Sequence, residues 1–167
     1  MSRSIGLLLC FCFCSALAQE TRLLRQPDIS VREIVFAYAN DLWIVPSAGG
    51  NAQRLTSFQG SEANPKFSPD GNTVAFTGQY GGNTDVYVIP SAGGEPQRVT
   101  WHPGADIVRG WTPDGKIIFS SNRESAPNGN TRLWTIGLKD PLPQALPMPR
   151  AHRGQLSGRA GHQESAV

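Results

Sequence analysis

Few of the 167 side chains have the types and spacings that chemistry needs. The best pair is His102 and Asp106, in the run Trp101-His-Pro-Gly-Ala-Asp106. A histidine with a carboxylate four residues on could ligate a metal ion, or act as a base oriented by the acid. The run offers no third ligand, so the pair reads as part of a turn-rich loop. Ser120 and Ser121 end a β-rich run with no base beside them, which favours a structural role. His152 and His162 fall in or beside a degenerate stretch near the end of the sequence and carry no functional weight. The sequence has no G-x-S-x-G elbow, no H-E-x-x-H and no phosphate loop. No catalytic, metal-binding or cofactor-binding residue is therefore expected.

Binding is the other reading. Trp43, Tyr87 and Trp134 recur at similar positions of a repeated pattern. Such aromatics can be ligand platforms, but at equivalent places in a repeat they are expected to pack between neighbouring units. Arg54, Arg98 and Arg123 read as solvated charges at loops or strand ends. The net charge of +2 is too small to argue for nucleic acid or an anionic membrane surface.

The elements that would position these residues follow from the pattern of the chain. Its first 18 residues stand apart. Arg3 precedes an apolar run from Ile5 to Leu17, and Ala16-Leu-Ala18 supplies small residues for a signal peptidase. The run is about 13 residues where a membrane span needs about 20, so it reads as a secretory leader cleaved after Ala18. Cys10, Cys12 and Cys14 all lie inside it as apolar filler, although C-x-C-x-C could suggest a metal. The mature chain then has no cysteine, no membrane-inserted segment and a periplasmic or secreted location.

The rest is organised by a repeat. Asp41-Leu-Trp-Ile-Val-Pro-Ser-Ala-Gly-Gly50 returns as Asp85-Val-Tyr-Val-Ile-Pro-Ser-Ala-Gly-Gly94, a spacing of 44 residues. Gln53-Arg-Leu-Thr56 returns as Gln97-Arg-Val-Thr100, and Phe67-Ser-Pro-Asp-Gly71 as Trp111-Thr-Pro-Asp-Gly115, at the same spacing. Ile34-Val-Phe-Ala-Tyr38, Val74-Ala-Phe-Thr-Gly78 and Ile117-Ile-Phe-Ser-Ser121 form a third series. The period is that of a four-stranded propeller blade, roughly 40–45 residues. In Ser/Thr-Pro-Asp-Gly, proline presets the first corner, aspartate bonds its own backbone and glycine takes positive φ. That explains the turn better than a calcium loop, whose alternate oxygen ligands and final glutamate are missing. No sustained helical period occurs.

The expected fold is all-β, an incomplete propeller of about three four-stranded antiparallel blades. Residues 1–18 are the signal peptide, 19–140 the partial propeller, and 141–167 a linker and irregular, disordered tail. In the first blade the turn motif reads as decayed to Pro27-Asp-Ile-Ser30. A fourth copy is due near Leu156-Ser157, but Gly158-Arg-Ala-Gly161 follows instead of a turn. The chain is thus expected to be truncated, with an open edge that invites self-association.

Together these residues resemble the N-terminal propeller of tricorn-type proteases. Arg54-Leu-Thr, Pro65-Lys-Phe-Ser-Pro-Asp-Gly71, Phe76-Thr-Gly-Gln-Tyr80, Gly82-Asn-Thr-Asp-Val-Tyr-Val88 and Gly110-Trp-Thr-Pro-Asp-Gly115 carry the resemblance, which covers about residues 22 to 157. Leu142 to Arg150 looks like the linker to the next blade. The resemblance implies a propeller that admits or steers peptides in a secreted serine peptidase. The family's catalytic residues lie beyond the last residue here, so none is carried over. The expected partner is a peptide or protein. Alternatives are an envelope protein-binding module like the TolB propeller, or the propeller of another hydrolase such as a prolyl peptidase or an amidohydrolase.

Overall fold

The computed structural model describes residues 24–124 and 131–147. The expected leader, His152, His162, the three cysteines and the stretch around Gly158 lie outside the described residues. Twelve strands are described, β1 (Arg25–Ile29), β2 (Glu33–Tyr38), β3 (Asp41–Pro46), β4 (Gln53–Arg54), β5 (Ser61–Phe67), β6 (Thr73–Tyr80), β7 (Asn83–Pro90), β8 (Gln97–Arg98), β9 (Asp106–Trp111), β10 (Ile117–Ser121), β11 (Arg132–Ile136) and β12 (Gln144–Ala145). They form three antiparallel sheets in the orders β1-β2-β3-β4, β5-β6-β7-β8 and β9-β10-β11-β12. Each sheet is one blade of the expected all-β, incomplete propeller. The third blade runs past residue 140, because Gln144 and Ala145, expected in the linker, pair with Thr135 and Trp134 as its outer strand.

The pleat decides how the blades stack. Alternate residues of a strand face opposite sides, so a blade between two others needs apolar residues on both. Val74, Phe76, Tyr87 and Ile89 of the second blade join Val35, Ala37, Leu42 and Ile44 of the first in one core. Ala75, Val86 and Val88, one residue out of step, join Val108, Ile117, Phe119, Trp134 and Ile136 of the third in another. Each joint therefore sets an aromatic-bearing face against a smaller, branched face. Val86–Ile89 is buried throughout for this reason.

The turns follow the chemistry read from the sequence. Gly71 N–H bonds Ser68 O at 2.8 Å and Gly115 N–H bonds Thr112 O at 3.0 Å, with φ of 71° and 82°. Asp70 accepts from the Ser68 hydroxyl at 2.5 Å and the Asn72 N–H at 3.1 Å. These bonds, led by that from Ser68, hold its carboxyl below the usual carboxylate range.

Blade one departs from expectation. Pro27 and Asp28 lie within β1, with Asp28 opposite Val35, and are not a relic of the turn. They correspond to Pro65 and Lys66 of β5. Both strands carry a bulge there, after Gln26 and Asn64 with φ of 51° and 53°. The turn of blade one is instead the shorter Ser30–Glu33, closed by Ser30 N–H to Glu33 O at 2.8 Å. Similar letters, Pro-Asp, occupy a different structural place.

Phe76 is wholly buried at the first joint. Phe76→Ala should lower the unfolding free energy by about 3–5 kcal/mol, read as an earlier midpoint in chemical denaturation.

Candidate binding face along the inner strands

Two sets of polar side chains sit among the apolar cores, one at each joint between blades. At the first, Asp41 begins β3 and accepts from the Arg54 guanidinium at 2.9 Å. Arg54 Nε also donates to the Thr56 carbonyl at 2.8 Å. The Thr56 hydroxyl oxygen accepts the Leu42 N–H at 2.9 Å. The second blade repeats the clasp, with Arg98 to Asp85 at 2.6 Å, Arg98 Nε to the Thr100 carbonyl at 2.7 Å, and Val86 N–H to the Thr100 hydroxyl at 3.0 Å. Each clasp ties a two-residue outer strand to the strand before it.

An acid of the next blade faces each clasp, and at the first joint it closes it. Glu62 of β5 accepts the Leu42 N–H at 3.1 Å and the hydroxyls of Thr56 and Tyr80. Asp106 occupies the same place in β9. One methylene shorter, it instead takes Arg123 at 2.6 Å through Oδ2, while its buried Oδ1 has no partner among the described residues. Arg123 also lies over the rings of Phe119 and Trp134, at 4.9 Å and 5.2 Å.

Burial raises the Glu62 carboxyl above its ordinary 4.5, opposed by the bonds from Thr56, Tyr80 and Leu42. Burial raises Asp85 too, against the pull of Arg98 and Thr100 and with the help of Asp106. Desolvation and the adjacent Glu62 push the Tyr80 hydroxyl up, so it stays a donor.

These clasps relocate several residues singled out by sequence. Arg98 and Arg123 are not solvated charges, since each pairs with a fully buried aspartate. Arg54 is about half exposed and pairs with Asp41. Asp106 faces Arg123. His102 Nδ1 accepts the Gly104 N–H at 2.9 Å, and its carbonyl accepts from Asn83. Ser120 accepts from Arg109 at 3.0 Å and Ser121 from Arg123 at 3.2 Å. Tyr87 and Trp134 lie in the two inter-blade cores. Trp43 is half-buried and edge-on to Tyr38 at 5.9 Å. The clasp was missed by sequence reasoning. Its signal was the recurrence of Asp, Arg and Thr together at one spacing.

The inner strands β1, β5 and β9 lie side by side at the sheet edges and make the face a ligand could meet. Asn64 N–H donates to Gln26 Oε1 and Phe67 N–H to Asp28 Oδ2, both at 2.8 Å. Lys66 Nζ stands 3.1 Å from Asp28 Oδ1. Trp111 Nε1 donates to the Lys66 carbonyl at 2.9 Å, tying β9 to β5. Clefts open at both ends. One of 390 Å³ includes Arg25, Gln26, Tyr38, Asn40, Ser61 and Glu62 in its lining, and one of 490 Å³ includes Asp28, Lys66, Gly110 and Trp111. The first lining mixes amide, hydroxyl and charge with Ala37, Ala39 and Ala63, and the second sets Asp28 and Lys66 among Phe67, Pro69, Trp111 and Pro113. Among the described residues no three of His, Cys, Asp and Glu gather to hold a metal ion. Nor is any helix long and apolar enough to cross a membrane.

Because folded Glu62 holds its proton more tightly than the unfolded chain does, its contribution to stability falls as pH rises from 4.5 through the raised value, then levels off. Asp85 has the same sign. Glu62→Gln keeps one carbonyl oxygen for Leu42 and Thr56 and should remove the Glu62 part of this slope. Denaturation across that pH range should show the variant gaining on the native chain as pH rises.

A model of the tricorn protease N-terminal beta propeller domain matches residues 21–163. The solved tricorn protease is 29% identical with a TM-score of 0.61, over 68% of this chain and 12% of that one. A TolB of Agrobacterium tumefaciens gives 21% and 0.64 over 74% of this chain and 46% of its own. TolB of Acinetobacter baumannii gives 23% and 0.63 over 74% and 32%. The TolB likenesses speak to the fold alone. The chain spans under half of each of these proteins. No curated protein matches it. With three antiparallel four-stranded blades and a family match over most of its length, the chain belongs to the tricorn protease N-terminal beta-propeller family.

Proposed function

We propose that this propeller module binds extended peptides along its inner strands for a tricorn-like serine peptidase, and does no peptide hydrolysis itself. The observation that carries the reading is the polar inner face. Gln26, Asp28, Asn64 and Lys66 meet there across two blades. Bulges on β1 and β5 re-aim side chains at that face. Hydrogen-bonding groups in a concave wall can take a peptide backbone without reading its side chains. The family match supports a setting beside a peptidase. The apolar leader over residues 1–18 supports export to the periplasm or beyond.

Titration of the full chain with unstructured peptides of about ten residues, followed by amide NMR, tests this. The expected result is that signals of residues 25–28, 61–67 and 106–111 move together, with the peptide intact by mass spectrometry. Cleavage by the purified chain, or shifts confined to outer strands, would overturn the reading.

A further inference from the structure

One face of every blade carries a phenylalanine paired across strands with a second aromatic. Phe36 stands opposite Trp43, Phe76 opposite Tyr87 and Phe119 opposite Trp134. In the second and third blades this face packs on the blade before it, Phe76 and Tyr87 in one core and Phe119 and Trp134 in the other. Phe36 and Trp43 belong to neither core among the described residues, and Ile34 and Val45 share their face. The receiving faces are Val35, Ala37, Leu42 and Ile44 of the first blade and Ala75, Val86 and Val88 of the second. Their counterpart in the third blade pairs Ile118 with Thr135 and Ser120 with Leu133. Ile118 and Leu133 are half-buried and also lie in neither core. The three blades thus leave one aromatic face without a receiver and one receiver without an aromatic face.

A second difference marks the same two faces. At the first joint Glu62 of the incoming blade accepts the Leu42 N–H and the Thr56 hydroxyl of the blade before it. Arg25 opposite Ala37 matches Ala63 opposite Thr77, so the place of Glu62 falls in the first blade to Leu24. Leu24 is 50% exposed. In the third blade the place of Thr56 and Thr100 falls to Pro147, at the spacing that carries Tyr87 to Trp134. Acid and hydroxyl are therefore both replaced by apolar groups, one on each open face. Changing one partner of a buried hydrogen bond leaves the other unsatisfied, whereas changing both to apolar groups can be nearly neutral. The paired change fits two faces that meet each other.

We infer that the aromatic face of the first blade docks on the third blade of a second copy of this chain, and the reverse, closing one ring from two copies. Neither flanking stretch, 1–23 or 148–167, has the length of one 44-residue blade to cover these faces. Two copies of three blades give six, within the four to eight that closed propellers hold. The contact is head to tail, and a twofold rotation repeats it and leaves no blade face free. Leu24 of one copy lies on Leu133 and Pro147 of the other, with Phe36 and Trp43 against Ile118. The internal joints are the template for this contact. It is independent of peptide binding.

The test is analytical ultracentrifugation of the full chain over a wide range of concentration. The expected result is a monomer–dimer equilibrium with nothing larger. Leu24→Glu sets an acid against Pro147 with no hydroxyl to meet it, and should raise the dimer dissociation constant by about a hundredfold, roughly tenfold for each of two joints. Adding Pro147→Thr to Leu24→Glu copies the first joint and should restore about tenfold or more of the loss. Leu133→Glu, on the opposite face, should weaken the dimer as Leu24→Glu does, and it serves if the latter disturbs β1. Amide signals of Phe76 and Tyr87 should keep their folded positions in each variant. A folded monomer at every concentration overturns the inference, as does a series of species that grows beyond two copies. A dimer unchanged by both glutamate variants overturns the assigned faces. Leu24→Glu with Pro147→Thr no tighter than Leu24→Glu alone overturns the meeting of Leu24 and Pro147.

Discussion

The fold depends on what a blade does with the N–H that its third strand turns outward. In the first two blades this is the Leu42 or Val86 N–H, buried at a joint between sheets. A buried donor left without a partner costs about 1–3 kcal/mol. Thr56 and Thr100 receive these donors. Each threonine is held by an arginine on its carbonyl, and each arginine by an aspartate at the base of the strand. The apolar faces supply most of the driving force for stacking, but they are non-directional. The clasp is directional, and with the acid of the next blade it sets where one sheet meets another.

The two joints show how a small change alters such a device. Glutamate at position 62 spans the gap and collects three donors. Aspartate at 106 does not, and Arg123 comes in from the same blade to neutralise it. The third blade gives up the clasp. Arg132, Ala145 and Pro147 stand where the others have aspartate, arginine and threonine, although Leu146 N–H still bonds Leu133 O at 2.9 Å. Its outer strand, like those of the other two blades, pairs at two residues.

Much of this was legible in the sequence because the repeat makes each blade a control for the others. Phe67-Ser-Pro-Asp-Gly71 and its copy fixed the turns, and Val86–Ile89 announced a strand buried on both faces. The misreading of Pro27-Asp28 came from matching letters without register. Proline at a bulge and proline at a turn corner satisfy the same φ constraint, and only the pairing of Asp28 with Val35 separates them. Arg98 and Arg123 were misread for a different reason. Burial of a charge depends on a partner that the pattern places far away in sequence, and an arginine two residues before a threonine looks like any strand end. The inner-strand face was invisible as a site, because two of its donors are backbone N–H groups, which sequence does not distinguish.

The central claim is that the clasp and the acid of the following blade make the joint a cooperative part of the fold. Native-state hydrogen exchange at the Leu42 and Val86 amides tests it most directly, since both donate to a threonine hydroxyl at a joint. The account predicts that they exchange only with the central-strand amides of β6 and β7, at the free energy of global unfolding. Exchange of Leu42 and Val86 at the rate of loop amides such as Val31, with β6 and β7 still protected, would contradict it.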